Sequence, residues 1–215
     1  MQRFRLKVSR GEEIKFISHL DIIRLWERVF RRARIPLAYS EGFNPHPRLS
    51  LAVPLSVGVT SEAELMDVFI SRQISPDWFM TAVNQQLPAG IKIDGIYQAA
   101  LNMPSLQSLA RFAEYKVELE TDRTREDIEA AISELLSRKQ LPWHHHRDTG
   151  QRSYDLRPLI DNLWCLDWKP GYCALGMNLR CDSRGSGRPE QVTLALGFTG
   201  YPRAIRRTRL ILETR

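Results

Sequence analysis

The chain has 215 residues, 43% of them hydrophobic and 26% charged. This is the composition of a soluble globular protein with room for one ordinary domain or two small ones. Its net charge of +6 is uneven, with eleven Lys/Arg against five Asp/Glu in residues 1–50, two against five in residues 51–110, and a basic tail, YPRAIRRTRLILETR. No apolar run approaches the roughly 18 residues of a membrane span, and MQRFRLKVSR is not a signal-peptide core, so the expectation is a cytoplasmic protein with no membrane association and an anionic partner such as RNA.

In chain order, FRLKVSR alternates as a strand, with Arg3, Arg5 and Lys7 on one side and Phe4, Leu6 and Val8 on the other. The period then changes to that of a helix. Ser18 and Asp21 form a start like a capping box, Ile22, Leu25, Trp26, Val29, Phe30 and Ala33 recur at helical spacing, and Pro36 marks the end. Arg24, Arg28, Arg31 and Arg32 occupy its other faces. RLSLAVPL and AELMDVFI read as two strands joined by a turn around GVTSE. SPDWFMTAVNQQLP places Ser before a first-turn proline, the expected order at a helix start, and IKIDGIYQA closes the half as a strand.

The same order recurs in the second half. AEYKVELE reads as a strand and TREDIEAAISELLSRK as a helix opened by Thr124, with Glu126 and Asp127 in its first turn. RSYDLRPLI, NLWCLDW and YCALGMNLRCD supply strands, RPEQVTLALGF a short helix begun at Pro189, and AIRRTRLILE a last strand. WHHHRDTGQR is a hairpin loop or an irregular excursion. The economical fold is α+β: two tandem ferredoxin-like (βαββαβ) units with antiparallel sheets and helices on one face. The boundaries fall at residues 1–101 and 111–215, with residues 102–110, around the polar NMPSLQS, as the linker.

His19, in FISHLD, sits at a helix start, where free N–H groups favour anions; it is otherwise an ordinary first-turn residue. In SEGFNPHP, Pro45 and Pro47 hold Asn44 and His46 toward extended conformations, and Gly42 permits an unusual backbone angle. The loop is therefore stiff, as a binding site prefers and as a structural crossover also allows. Histidines 144–146 lack acidic or cysteine partners at ligand spacing, and no metal site is expected. Arg157, in DLRPL, binds an anion or, more simply, pairs with Asp155. Arg203, Arg206, Arg207 and Arg209, with Tyr201, form a basic cluster suited to phosphate contacts. Cys165, Cys173 and Cys181 lack a C-x-x-C pair and read as buried free thiols of a reducing compartment. Phosphate-binding, dinucleotide-binding, nucleophile-elbow and zinc-protease motifs are all missing.

One stretch carries a resemblance. F-x-S-H-L-D at 16–21, R-R-A at 31–33 before Pro36, S-x-G-F-N-P-H-P at 40–47, P-L-x-x-G at 54–58 and S-E-x-E-x-x-D at 61–67 closely resemble the radical-SAM-associated (radical SAM-linked) proteins of unknown function; DLRPL at 155–159 and RTRL at 207–210 match more loosely. The resemblance implies a chain encoded beside, or fused C-terminal to, a cobalamin-binding radical SAM protein. The C-x₃-C-x₂-C cluster is absent here, so the iron–sulfur cluster and the cobalamin are expected on the partner and no cofactor on this chain. Tandem ferredoxin-like halves also look like the architecture of CRISPR RNA-processing endoribonucleases and of some pseudouridine synthases, a likeness of fold alone.

The expected function is accessory: a chain without activity of its own that presents RNA, or another anionic substrate, to a radical SAM enzyme. The expected contacts are Ser18, His19, Asp21, Arg24, Arg28, Arg31, Arg32, Asn44, His46, Arg48, Arg157, Arg206, Arg207 and Arg209, with the helix start and the loop flanking one site. The alternatives are a metal-independent RNA-processing or RNA-modifying enzyme using His19 or His46 as acid/base, and a purely protein-docking subunit.

Overall fold

β1 (Gln2–Arg10) shows the alternation its sequence predicts, with Phe4, Leu6 and Val8 buried. A computed structural model describes residues 1–147 and 150–213, excepting the side chains of 145–147 and 150–152. The chain divides into two compact units, Met1–Ala110 with Leu212–Arg215, and Arg111–Ile211. It is a mixed α+β protein with, among the described residues, a large, mostly antiparallel sheet and five α-helices.

In the first unit β1 is followed by α1 (His19–Arg32), β2 (Leu49–Leu51), β3 (Thr60–Ile70), α2 (Pro76–Asn84), β4 (Ile91–Ala99) and the short α3 (Leu106–Leu109). The strands lie in the order β2-β3-β1-β4, with β2 and β3, β3 and β1, and β1 and β4 all antiparallel. RLSLAVPL yields only three strand residues, Leu49–Leu51; Pro54, three residues further on, has no N–H to donate to a longer ladder. One face of the sheet packs on α1 and α2. There the rings of Phe4 and Phe79 meet edge-on at 5.2 Å, and Trp26 stacks on Phe30 at 5.3 Å.

The other face of β1 departs from the simple alternation, because Arg3 is buried as fully as its apolar neighbours. Asp67 of β3 is 1% exposed and Arg3 is 3% exposed. Arg3 Nη2 donates to Asp67 Oδ2, and Arg5 Nε donates to Asp67 Oδ1 at 2.9 Å. Arg3 also donates to the carbonyls of Met103 (2.7 Å) and Pro104 (2.9 Å), which ties the chain leaving β4 to the sheet. The stretch expected to be a polar linker thus includes a docked turn of helix, with Leu106 fully buried.

Ser18 caps α1, accepting from the Asp21 amide as expected. The helix closes with Arg34 in the left-handed region (φ 54°). Ile35 N–H reaches Phe30 O at 3.0 Å and Arg34 N–H reaches Arg31 O at 3.1 Å, the pair of bonds that terminates a helix when the next residue turns left-handed.

The second unit runs β5 (Ala110–Leu119), α4 (Arg125–Ser137), β6 (Pro142–Arg147), β7 (Gly150–Asp155), β8 (Ile160–Lys169), β9 (Tyr172–Asp182), β10 (Gly185–Ser186), α5 (Pro189–Ala195) and β11 (Ala204–Leu212). β9 pairs with β5 on one side and with β8 and β10 on the other, while β11 flanks β5. Thr124 and Asp127 form the capping box of α4. Trp164 lies across Gly176 on the neighbouring strand, where a Cβ would come within 2.0 Å of the indole. The excursion around 142–155 is a two-stranded hairpin, β6 with β7; its Asp148 and Thr149 lie outside the described residues.

Two stability outcomes follow from these contacts. Asp67→Ala leaves two guanidinium groups without their shared carboxylate, and a loss of about 3–5 kcal/mol is expected in urea unfolding. Arg34→Gly removes left-handed strain at an exposed position, and a gain of up to about 1 kcal/mol is expected by the same measurement.

Candidate nucleic-acid interface

The amphipathic pattern that buries Ile22, Trp26, Val29 and Phe30 forces the intervening arginines outward. Arg24, Arg28, Arg31 and Arg32 are all exposed and recur at i, i+4, i+7 and i+8, so they make one stripe along the outer face of α1. Arg24 pairs with Asp21 at 3.1 Å, and Asp21 is held below the usual carboxylate range by the Ser18 hydroxyl and by Arg24. Among the described residues, Arg28, Arg31 and Arg32 have no carboxylate at ion-pair distance. Arg31 and Arg32 also lie in the last turn, where they offset the negative end of the helix dipole.

The SEGFNPHP loop is held more firmly than its prolines alone require. Tyr39 bridges Pro47, Ser40 N–H donates to His46 O at 2.9 Å, and His46 N–H returns to Ser40 Oγ at 3.0 Å. Its base is clamped on β3, with Ala38 N–H on Phe69 O (2.8 Å) and Phe69 N–H on Arg48 O (3.1 Å). Gly42 takes the expected unusual angle, φ 125°. Asn44 and His46 are exposed at the tip. Arg48 lies 4.4 Å over the Phe69 ring, which Arg3 also approaches at 5.3 Å.

The helix start and the loop do not flank one site. Lys15 O accepts from Gly58 N–H, just before β3 begins, whereas the loop is clamped at Phe69, near its end. Roughly 30 Å of strand separates them at about 3.4 Å per residue. His19, half-buried in the first turn, and His46 therefore do not form an acid/base pair.

Two arginines of the second unit have structural duties instead of the expected anion contacts. Arg157 lies in a 3-10 turn, not on a strand, and donates to Leu136 O (2.9 Å) at the end of α4 and to Ile160 O (2.6 Å). The expected pairing of its guanidinium with Asp155 does not form; Asp155 Oδ1 accepts from the amides of Leu141 and Arg157. Arg207 is 1% exposed, and its Nε and Nη2 each lie 3.3 Å from Tyr115 Oη. Strand alternation puts Arg206 on the opposite face of β11 from Arg207; Arg209, which alternation places on the same face as Arg207, is also exposed, so Arg206 and Arg209 of the expected trio reach the surface. Arg209 lies 3.9 Å from Glu114.

Around α1, exposed aromatic and apolar groups that are not among the expected contacts accompany the arginines of the first unit. Phe43 at the loop tip is fully exposed, Tyr39 is 54% exposed, and Phe16, Leu20 and Val57 are exposed near the start of α1. An aromatic residue inside a proline-stiffened loop was the legible signal for Phe43. His144 Nδ1 lies 2.8 Å from Ser153 Oγ, and no group of three His, Cys, Asp or Glu suited to a metal exists among the described residues; the side chains of His145 and His146 lie outside them. No helix among the described residues is long and apolar enough to cross a membrane.

Comparison with known proteins places the chain in one family. The bacterial family described as "Uncharacterized protein conserved in bacteria (DUF2344)" matches residues 3–189. The chain belongs to this family. No curated protein matches it. Among solved structures, it is similar to a Cbf5-Nop10-Gar1 complex, with 11% identity, a TM-score of 0.51, and coverage of 96% of this chain and 48% of that one. An H/ACA RNP bound to a substrate RNA containing 2′-deoxyuridine gives 11% identity and a TM-score of 0.50, with coverage of 96% and 47%. The archaeal box H/ACA sRNP Nop10-Cbf5 complex gives 12% identity and a TM-score of 0.49, with coverage of 97% and 48%. The DUF2344 chain spans about half the length of the chains it matches, and at this identity the likeness is one of fold alone.

All three cysteines are free thiols, but only Cys173 is buried as expected; Cys165 and Cys181 are half-buried. Desolvation raises the Cys165 thiol and pushes Cys173 and Cys181 up to about 11. All three stay protonated at neutral pH, because thiolate forms only as pH approaches the raised values. At pH 8, Cys173, which has no exposed surface, is expected to react with Ellman's reagent only at the rate of unfolding; rapid labelling of three thiols would contradict this.

Proposed function

We propose that this DUF2344 protein is an RNA-binding subunit without catalytic activity of its own, which works with a radical SAM enzyme. The reading rests on the outer face of α1, where three exposed arginines have no carboxylate at ion-pair distance among the described residues and exposed aromatic residues stand beyond both ends of the helix. A track of guanidinium groups suits a phosphate backbone, and unburied aromatic rings suit the faces of unstacked bases, the combination that single-stranded RNA requires.

Two further features agree. The element order and the strand order β2-β3-β1-β4 support reading the first unit as ferredoxin-like, and the order around β9 and β5 supports the same reading of the second. One solved structure of similar fold is an RNP bound to RNA. The radical SAM partner rests on the motifs at 16–21, 40–47, 54–58 and 61–67. Exposed Phe16, Leu20 and Val57 are an apolar surface suited to contact with that enzyme.

Fluorescence anisotropy with labelled single-stranded RNA tests the reading. Binding is expected to weaken steeply with salt, and the variant carrying Arg28→Glu, Arg31→Glu and Arg32→Glu is expected to lose at least tenfold in affinity, with the slope of log K against log salt smaller by about 2. Absent binding, or an affinity indifferent to salt, would overturn it. Cleavage of the RNA by the purified chain would instead make it an enzyme.

A further inference from the structure

Beside the basic stripe lies a cleft of about 490 Å³ between α1 and the segment joining α2 to β4. Arg28 and Arg32 stand on one wall, and Gln85 and Gln86 on the other. Leu25 and Leu87 supply apolar lining. The volume lies within the usual range for small-ligand sites, roughly 300–1,000 Å³.

The chemistry of the lining is specific. Arg28 and Arg32 are one helical turn apart, so their like charges repel, and an anion between them removes that cost. Guanidinium groups grip phosphate through paired N–H donors. Facing them, the two carboxamides each offer an N–H₂ donor and a carbonyl acceptor, and among the described residues neither has a hydrogen-bond partner in the chain. The facing wall is held in place: Gln86 N–H donates to Val83 O at 2.9 Å, Val83 is fully buried, and Gly11 N–H donates to Gly90 O at 2.7 Å. The C-terminal end of α2 carries partial negative charge on this side, which directs an anion toward α1 and leaves the glutamines for uncharged donors and acceptors.

We infer that this cleft binds one nucleotide unit, with its phosphate on Arg28 and Arg32, its sugar and base against Leu25 and Leu87, and its base edge on the carboxamides of Gln85 and Gln86. The inference rests on the RNA reading and locates where one residue of the strand is held. A cleft of this size and lining also takes a free nucleoside 5′-monophosphate, so the two sources must be separated by experiment.

The test uses the full chain labelled with ¹⁵N, and follows the side-chain amide signals of Gln85 and Gln86 during titration with a single-stranded oligoribonucleotide, a nucleoside 5′-monophosphate, the matching nucleoside, and inorganic phosphate. The oligoribonucleotide and the monophosphate are expected to shift these signals, and the nucleoside at equal concentration is not. Gln85→Ala with Gln86→Ala is expected to weaken RNA binding about tenfold with its salt slope unchanged, since no charge is lost, whereas Arg28→Ala is expected to lower the slope by about 0.7. An unchanged melting temperature establishes that each variant is folded. RNA that binds without moving the carboxamide signals, and binds the double variant equally well, overturns the cleft and leaves the RNA reading standing. Shifts with the monophosphate alone, and no oligoribonucleotide binding, support the cleft as a mononucleotide site and overturn the RNA reading. Silence toward every ligand overturns both.

Discussion

The first unit is organised around a carboxylate with almost no contact with water. Asp67 sits in the middle of the sheet, shared by Arg3 and Arg5 of the adjacent strand, and an unpaired charge at that depth would be unsustainable. The same Arg3 holds the carbonyls of residues 103 and 104, so one guanidinium fixes the register of β1 against β3 and the path of the chain after β4. With that side of the sheet held by ion pairs and backbone carbonyls, the opposite side is free to carry the apolar core of Phe4, Phe30 and Phe79 beneath α1 and α2.

α1 therefore has two separate duties. Its inner face is fixed by packing and its outer face by solvent; Arg24 is paired with Asp21, whereas Arg28, Arg31 and Arg32 stand where, among the described residues, no carboxylate lies at ion-pair distance. The stiff loop beyond its C-terminus and the exposed apolar residues near its N-terminus are held at opposite ends of β3, so the surface is an extended track instead of a single pocket around a histidine. An extended track suits a strand of nucleic acid, and it leaves the apolar end near Phe16 available to a protein.

Much of this was legible in local patterns. The caps at Ser18, Ser75 and Thr124, the proline at the start of α2 and the helical spacing in α1 depend on residues within a few positions of one another, and each lies where the pattern placed it. The arginines were not separable in this way. Arg28, Arg157 and Arg207 are the same residue type in basic or polar contexts, yet one faces solvent, one caps the end of α4 and one is buried against Tyr115. Each guanidinium carries five N–H donors that backbone carbonyls, hydroxyls or phosphates satisfy equally well, and only the fold decides which acceptors are near.

The sequence by itself determined the order of most elements, the boundaries of the capped helices, the basic outer face of α1 and the stiffness of the SEGFNPHP loop, because each arises from backbone propensity or from periodicity within one segment. Tertiary structure alone decided that Arg3 and Asp67 are buried together, that the loop and the helix start lie far apart, and that Gln85 and Gln86 face Arg28 and Arg32 across a cleft. These are relations between residues tens of positions apart in the chain, set by strand register and by packing against a shared core, and no local pattern encodes them.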